Sequence, residues 1–175
     1  METDRRRRPD ALTPREVAWL ATQSALEHGG HVPTLIVEGS MRHVIGHLAD
    51  LPETHEGRVQ RLFSIGVSLG RIRAVGKLEQ VFFISEGWLS MGEEGRPPRM
   101  LPSQDPDRKE VLFVFHCAVE RQQTGLVLFE MVRDSGGHLV ELREARLPGE
   151  AEGRVESPLL DAFVDGFRLG MARLN

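Results

Sequence analysis

Hydrophobic positions along the chain switch between helical and strand spacing, and the switches predict nine elements. In the first, Val17, Leu20, Ala21 and Ser24 recur at helical spacing, with Trp19 and Leu26 on a neighbouring stripe. Thr13 as N-cap, Pro14 at the first helical position and Glu16 three residues after the cap make a capping box, and Gly29-Gly30 ends the helix after His28. Pro33 to Glu38 is a β-rich run, and Gly39-Ser40 separates it from Met41 to Leu48, as in a hairpin. A second helix opens at Asp50-Leu51-Pro52-Glu53 and reaches about Arg73, with Val59, Leu62, Phe63, Gly66, Leu69 and Gly70 on one face. Gly57 fits its first turn poorly, since glycine costs about 1 kcal/mol in a helix interior.

Four β-type runs follow, Gln80 to Ser90, Glu110 to Glu120, Leu126 to Arg133 and Leu139 to Arg146. Arg121 to Gly125 and Asp134-Ser135-Gly136-Gly137 are short, glycine-bearing joints of the kind an antiparallel meander requires. Only Met91 to Lys109 is long, nineteen residues holding four of the ten prolines, and loops of that length are usually functional or mobile. Ser157 as N-cap and Pro158 open a closing helix to about Arg173, with Leu160, Phe163, Val164, Phe167, Met171 and Leu174 as its apolar stripe.

The predicted order is α-β-β-α-β-β-β-β-α: a single α+β domain over residues 13–175, largely antiparallel, with helices packed on the sheet, behind a disordered basic tail over residues 1–12. Element order alone resembles the roadblock/longin and profilin-like folds, with one strand too many, and such sheets serve as binding platforms. Gly66-x-x-x-Gly70 and Gly166-x-x-x-Gly170 remove bulk beside the two later apolar stripes. Close packing of helix on sheet is the favoured explanation; contact between the two helices, or with a second subunit, is the alternative.

Composition narrows the chemistry. Hydrophobic residues make 40% and charged residues 27% of the 175, which excludes a disordered or collagen-like chain and a membrane span. Twenty arginines against two lysines, no tyrosine and a single asparagine indicate GC-rich coding before any function. One cysteine excludes an intramolecular disulfide, and Cys117 lies in an apolar run, as a small buried hydrophobe would. Arg5-Arg6-Arg7-Arg8 is not followed by an apolar region, so the chain is expected to be cytoplasmic. Four arginines against Glu2, Asp4 and Asp10 give residues 1–10 net +1; the whole chain is −4, so the body is −5, a poor match for nucleic acid.

The densest polar segment runs from Pro102 to Glu110. Asp105, Asp107 and Glu110 are oxygen donors suited to Mg²⁺ or Ca²⁺, but the spacing is not that of an EF-hand. The structural alternative has Asp105 and Asp107 forming Asx-type turns around Pro106, with Arg108 paired to an acid at the strand entry. His43 and His47 fall on one strand face, about 13 Å apart by strand rise, too far to share a zinc. His116 neighbours Cys117 but points to the other sheet face, so no nucleophile and base pair forms. No phosphate loop, Rossmann fingerprint, nucleophile elbow or zincin helix is present, and the His-x-His signature of metal-dependent isopeptidases is missing.

Ser85-Glu86-Gly87-Trp88 together with Pro102-Ser103-Gln104-Asp105-Pro106-Asp107-Arg108-Lys109-Glu110 resembles a pattern of an uncharacterised family of bacterial and phage proteins: Ser-Glu-x-Trp, a variable loop, then Pro-Ser-x-Asp-Pro-Asp-Arg-x-Glu. The match covers residues 33–120. The resemblance implies a shared fold and a shared surface, with no reaction attached, and makes Glu86, Trp88, Asp105, Asp107, Arg108 and Glu110 the candidate site. The expected function is a non-catalytic binding or adaptor module without a cofactor, whose partner is a protein or a second copy in a homodimer. A metal-dependent hydrolase with Asp105, Asp107 and Glu110 as ligands is the alternative.

Overall fold

The computed structural model describes residues 11–90, 102–145 and 156–172. Three helices and six strands follow in the predicted order: α1 (Pro14–His28), β1 (Thr34–Gly39), β2 (His43–His47), α2 (His55–Arg71), β3 (Leu78–Leu89), β4 (Lys109–Ala118), β5 (Gln123–Arg133), β6 (Leu139–Ala145) and α3 (Pro158–Ala172), with a 3₁₀ turn at Pro102–Gln104. One antiparallel sheet holds all six strands in the order β2-β1-β3-β4-β5-β6. The tail with Arg5 to Arg8 and most of the Met91 to Lys109 joint lie outside the described residues, as do Arg146, Arg173 and Leu174.

Helices cover both faces. Along β3, Val81 and Phe83 join the core beneath α2 and α3, whereas Phe82 and Ile84 join the core beneath α1. Strand β1 is buried along its whole length because it contributes to both, Leu35 and Val37 on one side and Ile36 on the other. Cys117 and His116 fall on opposite faces, and Cys117 is buried in the α2/α3 core. Among the described residues, no helix is long and apolar enough to cross a membrane.

Capping behaves as the sequence predicts. Thr13 Oγ1 accepts the Glu16 amide at 3.2 Å, the Thr13 amide donates to the Glu16 carboxylate at 2.8 Å, and Gly29 closes α1 at φ 75°. Ser157 caps α3, its carbonyl accepting the Asp161 amide at 2.9 Å.

Three expectations need correction. Helix α2 begins at His55, later than the Asp50 to Glu53 segment, because Thr54 is its N-cap. Pro52 folds back over the first turn, 2.7 Å from where a Cβ on residue 57 would stand, and only glycine admits that approach. Helix α1 buries Val17, Ala18, Ala21, Thr22 and Ala25, and turns Leu20 outward with Trp19. The small-residue motifs of α2 and α3 serve neither the sheet nor a second subunit but each other. A Cβ on Gly66 would strike the Phe163 carbonyl and one on Gly166 the Phe63 carbonyl, and Gly70 and Gly170 repeat the pattern one turn on.

Candidate functional site

Alternation along β3 and β4 aims Glu86, Trp88 and Glu110 at the α1 side of the sheet, past the end of its apolar core. Trp88 is directly opposite Glu110, and Glu86 is opposite Leu112, so the two glutamates are diagonal neighbours on one face. The Arg108 guanidinium stacks 4.5 Å above the Trp88 ring, and its Nη1 donates to the Asp105 carbonyl at 3.3 Å. Four of the six candidate residues therefore meet at one end of the β3 and β4 pair.

Two residues outside the candidate set complete the cluster. Arg133, beside the register shift that ends the β5 and β6 pairing, grips both oxygens of Glu110, Nε to Oε2 and Nη2 to Oε1, each at 2.7 Å. Its Nη1 also donates to the carbonyls of Gly29 at 3.1 Å and Gly137 at 3.2 Å. One guanidinium thus ties together β4, the C-cap of α1 and the β5–β6 turn. The backbone amide of His31 donates to Glu86 Oε1, and a Cβ on Gly30 would stand 3.1 Å from that oxygen. His31 Nδ1 is buried with no hydrogen-bond partner among the described residues.

Burial sets the electrostatics. It pushes the Glu86 carboxyl above the usual glutamate range, and the neighbouring Glu110 charge adds to the rise, against smaller opposing contributions from the His31 amide and Arg133. Burial also lowers the His31 imidazole, so both groups favour their neutral forms. On β2, His43 and His47 share the exposed side, and His47 Nδ1 lies 3.0 Å from Thr34 Oγ1.

Asp105 and Asp107 stand apart from this cluster, in the turn that enters β4. The Asp105 carboxylate accepts the Ser90 hydroxyl, and the Asp107 amide at 2.8 Å, and these bonds hold it below the usual aspartate range. That is the Asx turn of the structural alternative. Glu110 is committed to Arg133, and among the described residues no group of three or more His, Cys, Asp or Glu is placed to hold a metal ion. Glu86 holds the His31 amide, Arg133 holds Glu110 and the end of α1, and Asp105 closes the turn into β4, so apart from the unpartnered His31 Nδ1 the cluster is a clamp.

What the clamp holds is a helix presented with its large side chains outward. Ala18, Ala21 and Ala25 are at most 3% exposed, while Trp19 is 62% and Leu20 53% exposed, with Leu26 on the same outward side. The sequence signal was available: alanine recurring at 18, 21 and 25 lets a helix approach a sheet closely, whichever side the tryptophan takes. Arg133 carries no such signal, since it ends a strand with no local motif.

Fold and cluster define a class: an antiparallel six-stranded α+β sandwich with one helix clamped on one face and a helix pair on the other. No protein-family model, curated protein or solved structure matches the chain.

Proposed function

We propose that the chain is a non-catalytic α+β binding module whose working surface is the outward side of α1, and that its partner is a second copy of itself, as a homodimer. The inverted burial of α1 carries this reading: a helix that seats its alanines and leaves Trp19 and Leu20 in water has a second contact to make. In antiparallel pairing of two copies the exposed Arg15 of the first turn would lie near the other copy's exposed Glu27, while the neighbouring Glu16 is held in its capping box with Thr13. A contact confined to a 15-residue helix falls below the roughly 1,600 Å² of a standard interface, so the dimer is expected to be weak.

The clamp fits the same reading, because Arg133 and Glu86 fix the end of α1 and so the angle at which its surface is offered. The two segments that resemble the bacterial and phage family meet across the β3 and β4 register, which supports a shared structural role for them. The metal-dependent hydrolase alternative draws no support from carboxylates already bound to Arg133, Ser90 and the Asp107 amide. Sedimentation velocity over a concentration series tests the proposal: a concentration-dependent dimer is expected, and a monomer at every concentration overturns it.

A further inference from the structure

On the face opposite α1, a cleft of about 750 Å³ opens between the last turns of α3, the start of β3 and the joint between β4 and β5. That lies within the roughly 300–1,000 Å³ of small-molecule sites. Its floor is apolar, with Leu78 and Phe167 buried and Val119 and Met171 half-buried. Its rim is cationic: Arg73, Lys77 and Arg168, against Glu120.

The cations are not equivalent. Lys77 is engaged by Glu120, and Arg168 Nη1 lies 3.6 Å from Asp165. Among the described residues the Arg73 guanidinium has no hydrogen-bond or ion-pair partner, and its side chain is exposed. The backbone adds an independent observation. Among the described residues the two non-glycine residues with positive φ are Arg73 (48°) and Gln122 (49°), and both line this cleft. Left-handed backbone is unfavourable for such residues, and strain of this kind concentrates at ligand sites.

We infer that this cleft binds an anionic amphiphile, a medium-chain acyl carboxylate. The acyl chain lies on Leu78, Val119, Phe167 and Met171, and the carboxylate meets the planar fork of Arg73, with the Gln122 carboxamide as a second polar contact. The charge complementarity selects the ligand: an apolar floor alone would take any oil, whereas an unengaged guanidinium at its edge favours one negative head group.

The test is calorimetric titration of the full chain with decanoate below its micelle concentration, with decanol and decyltrimethylammonium as matched chains. Saturable 1:1 binding of decanoate is expected, at least tenfold tighter than either control. Arg73→Asn, which keeps a residue tolerant of left-handed backbone, is expected to weaken binding about tenfold. Met171→Trp, which fills the cleft from a half-buried position, is expected to abolish it. No heat with decanoate, equal affinity for decanol, or full affinity in Arg73→Asn overturns the inference. So does binding that appears only in a chain ending at Ala172, which would make residues 173–175 the natural occupant. Trp19→Glu is expected to leave decanoate binding unchanged, so failure here and failure of the α1 reading are separable.

Discussion

Arg133 and Glu110 form a two-armed ion pair, both arms 2.7 Å, and the same guanidinium reaches the carbonyl of Gly29 at the end of α1. The pair is about three-quarters buried, with side chains 28% and 22% exposed. Its consequences are therefore larger than those of a surface salt bridge and smaller than those of a dry one.

Arg133→Ala is expected to cost about 2 kcal/mol, because it leaves the Glu110 carboxylate part-buried and unpaired and releases the α1 C-cap. Urea denaturation gives the magnitude. Amide exchange gives the location, with faster exchange expected around His28 to Val32 and none of it in α2 or α3. Arg133→Lys is expected to recover less than half of the loss, since an ammonium cannot hold two oxygens and a carbonyl in one plane.

Glu86 and the half-buried histidines impose opposite pH slopes. The folded Glu86 carboxyl titrates above the ordinary value of 4.5, so the folded chain keeps that proton longer than the unfolded chain. Its contribution is full below 4.5 and is lost as pH rises through the raised folded value. Glu86→Gln retains an oxygen for the His31 amide and removes this slope, so it is expected to raise Tm at pH 7 and to match the wild type near pH 4. His116, lowered from 6.5 by burial, acts the other way: stability is full above 6.5 and falls as pH drops below it. His116→Phe is expected to lessen the loss of stability as pH falls below 6.5.

The interlocked glycines of α2 and α3 predict a sharp contrast. Gly166→Ala sets a methyl group against the Phe63 carbonyl, an overpacking expected to cost about 1–3 kcal/mol. Gly46→Ala, with nothing within 4 Å of its Cβ, is expected to be neutral or slightly stabilising. Thermal denaturation of the two variants side by side checks both.

Leu20→Glu and Trp19→Glu are expected to abolish the dimer in sedimentation velocity while leaving Tm within about 1 °C, because both side chains are already in water in the single chain. A large drop in Tm would mean that these residues hold the fold.

Mg²⁺, Mn²⁺ and Ca²⁺ are expected to leave Tm unchanged, since Asp105 and Glu110 already have protein partners. A shift that disappears in Asp107→Ala would restore the metal reading.

Local chemistry was legible in the chain before it folded. Thr13, Pro14 and Glu16 determine the start of α1, Ser157 and Pro158 that of α3, and the glycine-bearing Asp134 to Gly137 turn determines the β5–β6 hairpin, because caps and turns are satisfied within a few residues. The Asx turn at Asp105 belongs to the same class. The β4–β5 joint departs from expectation: it turns at Gln122, φ 49°, and Gly125 lies inside β5 opposite His116. Thr54 was obscured by the Pro52 turn before it, whose packing on Gly57 is a contact across the helix start that periodicity does not record.

Tertiary structure decided what each face meets. Leu20 and Ala21 are equally consistent with a helical stripe, and the closeness of α1 to the sheet, which only small residues permit, selected the alanine side and sent Trp19 outward. Gly66 and Gly166 indicated close approach, but which backbone would approach depended on two helices separated by the whole of the β3 to β6 meander. Glu110 and Arg133 lie in strands that could each be drawn from the sequence. That they grip one another and the end of α1 follows from register, bulge and helix position together, and no spacing along the chain encodes that sum.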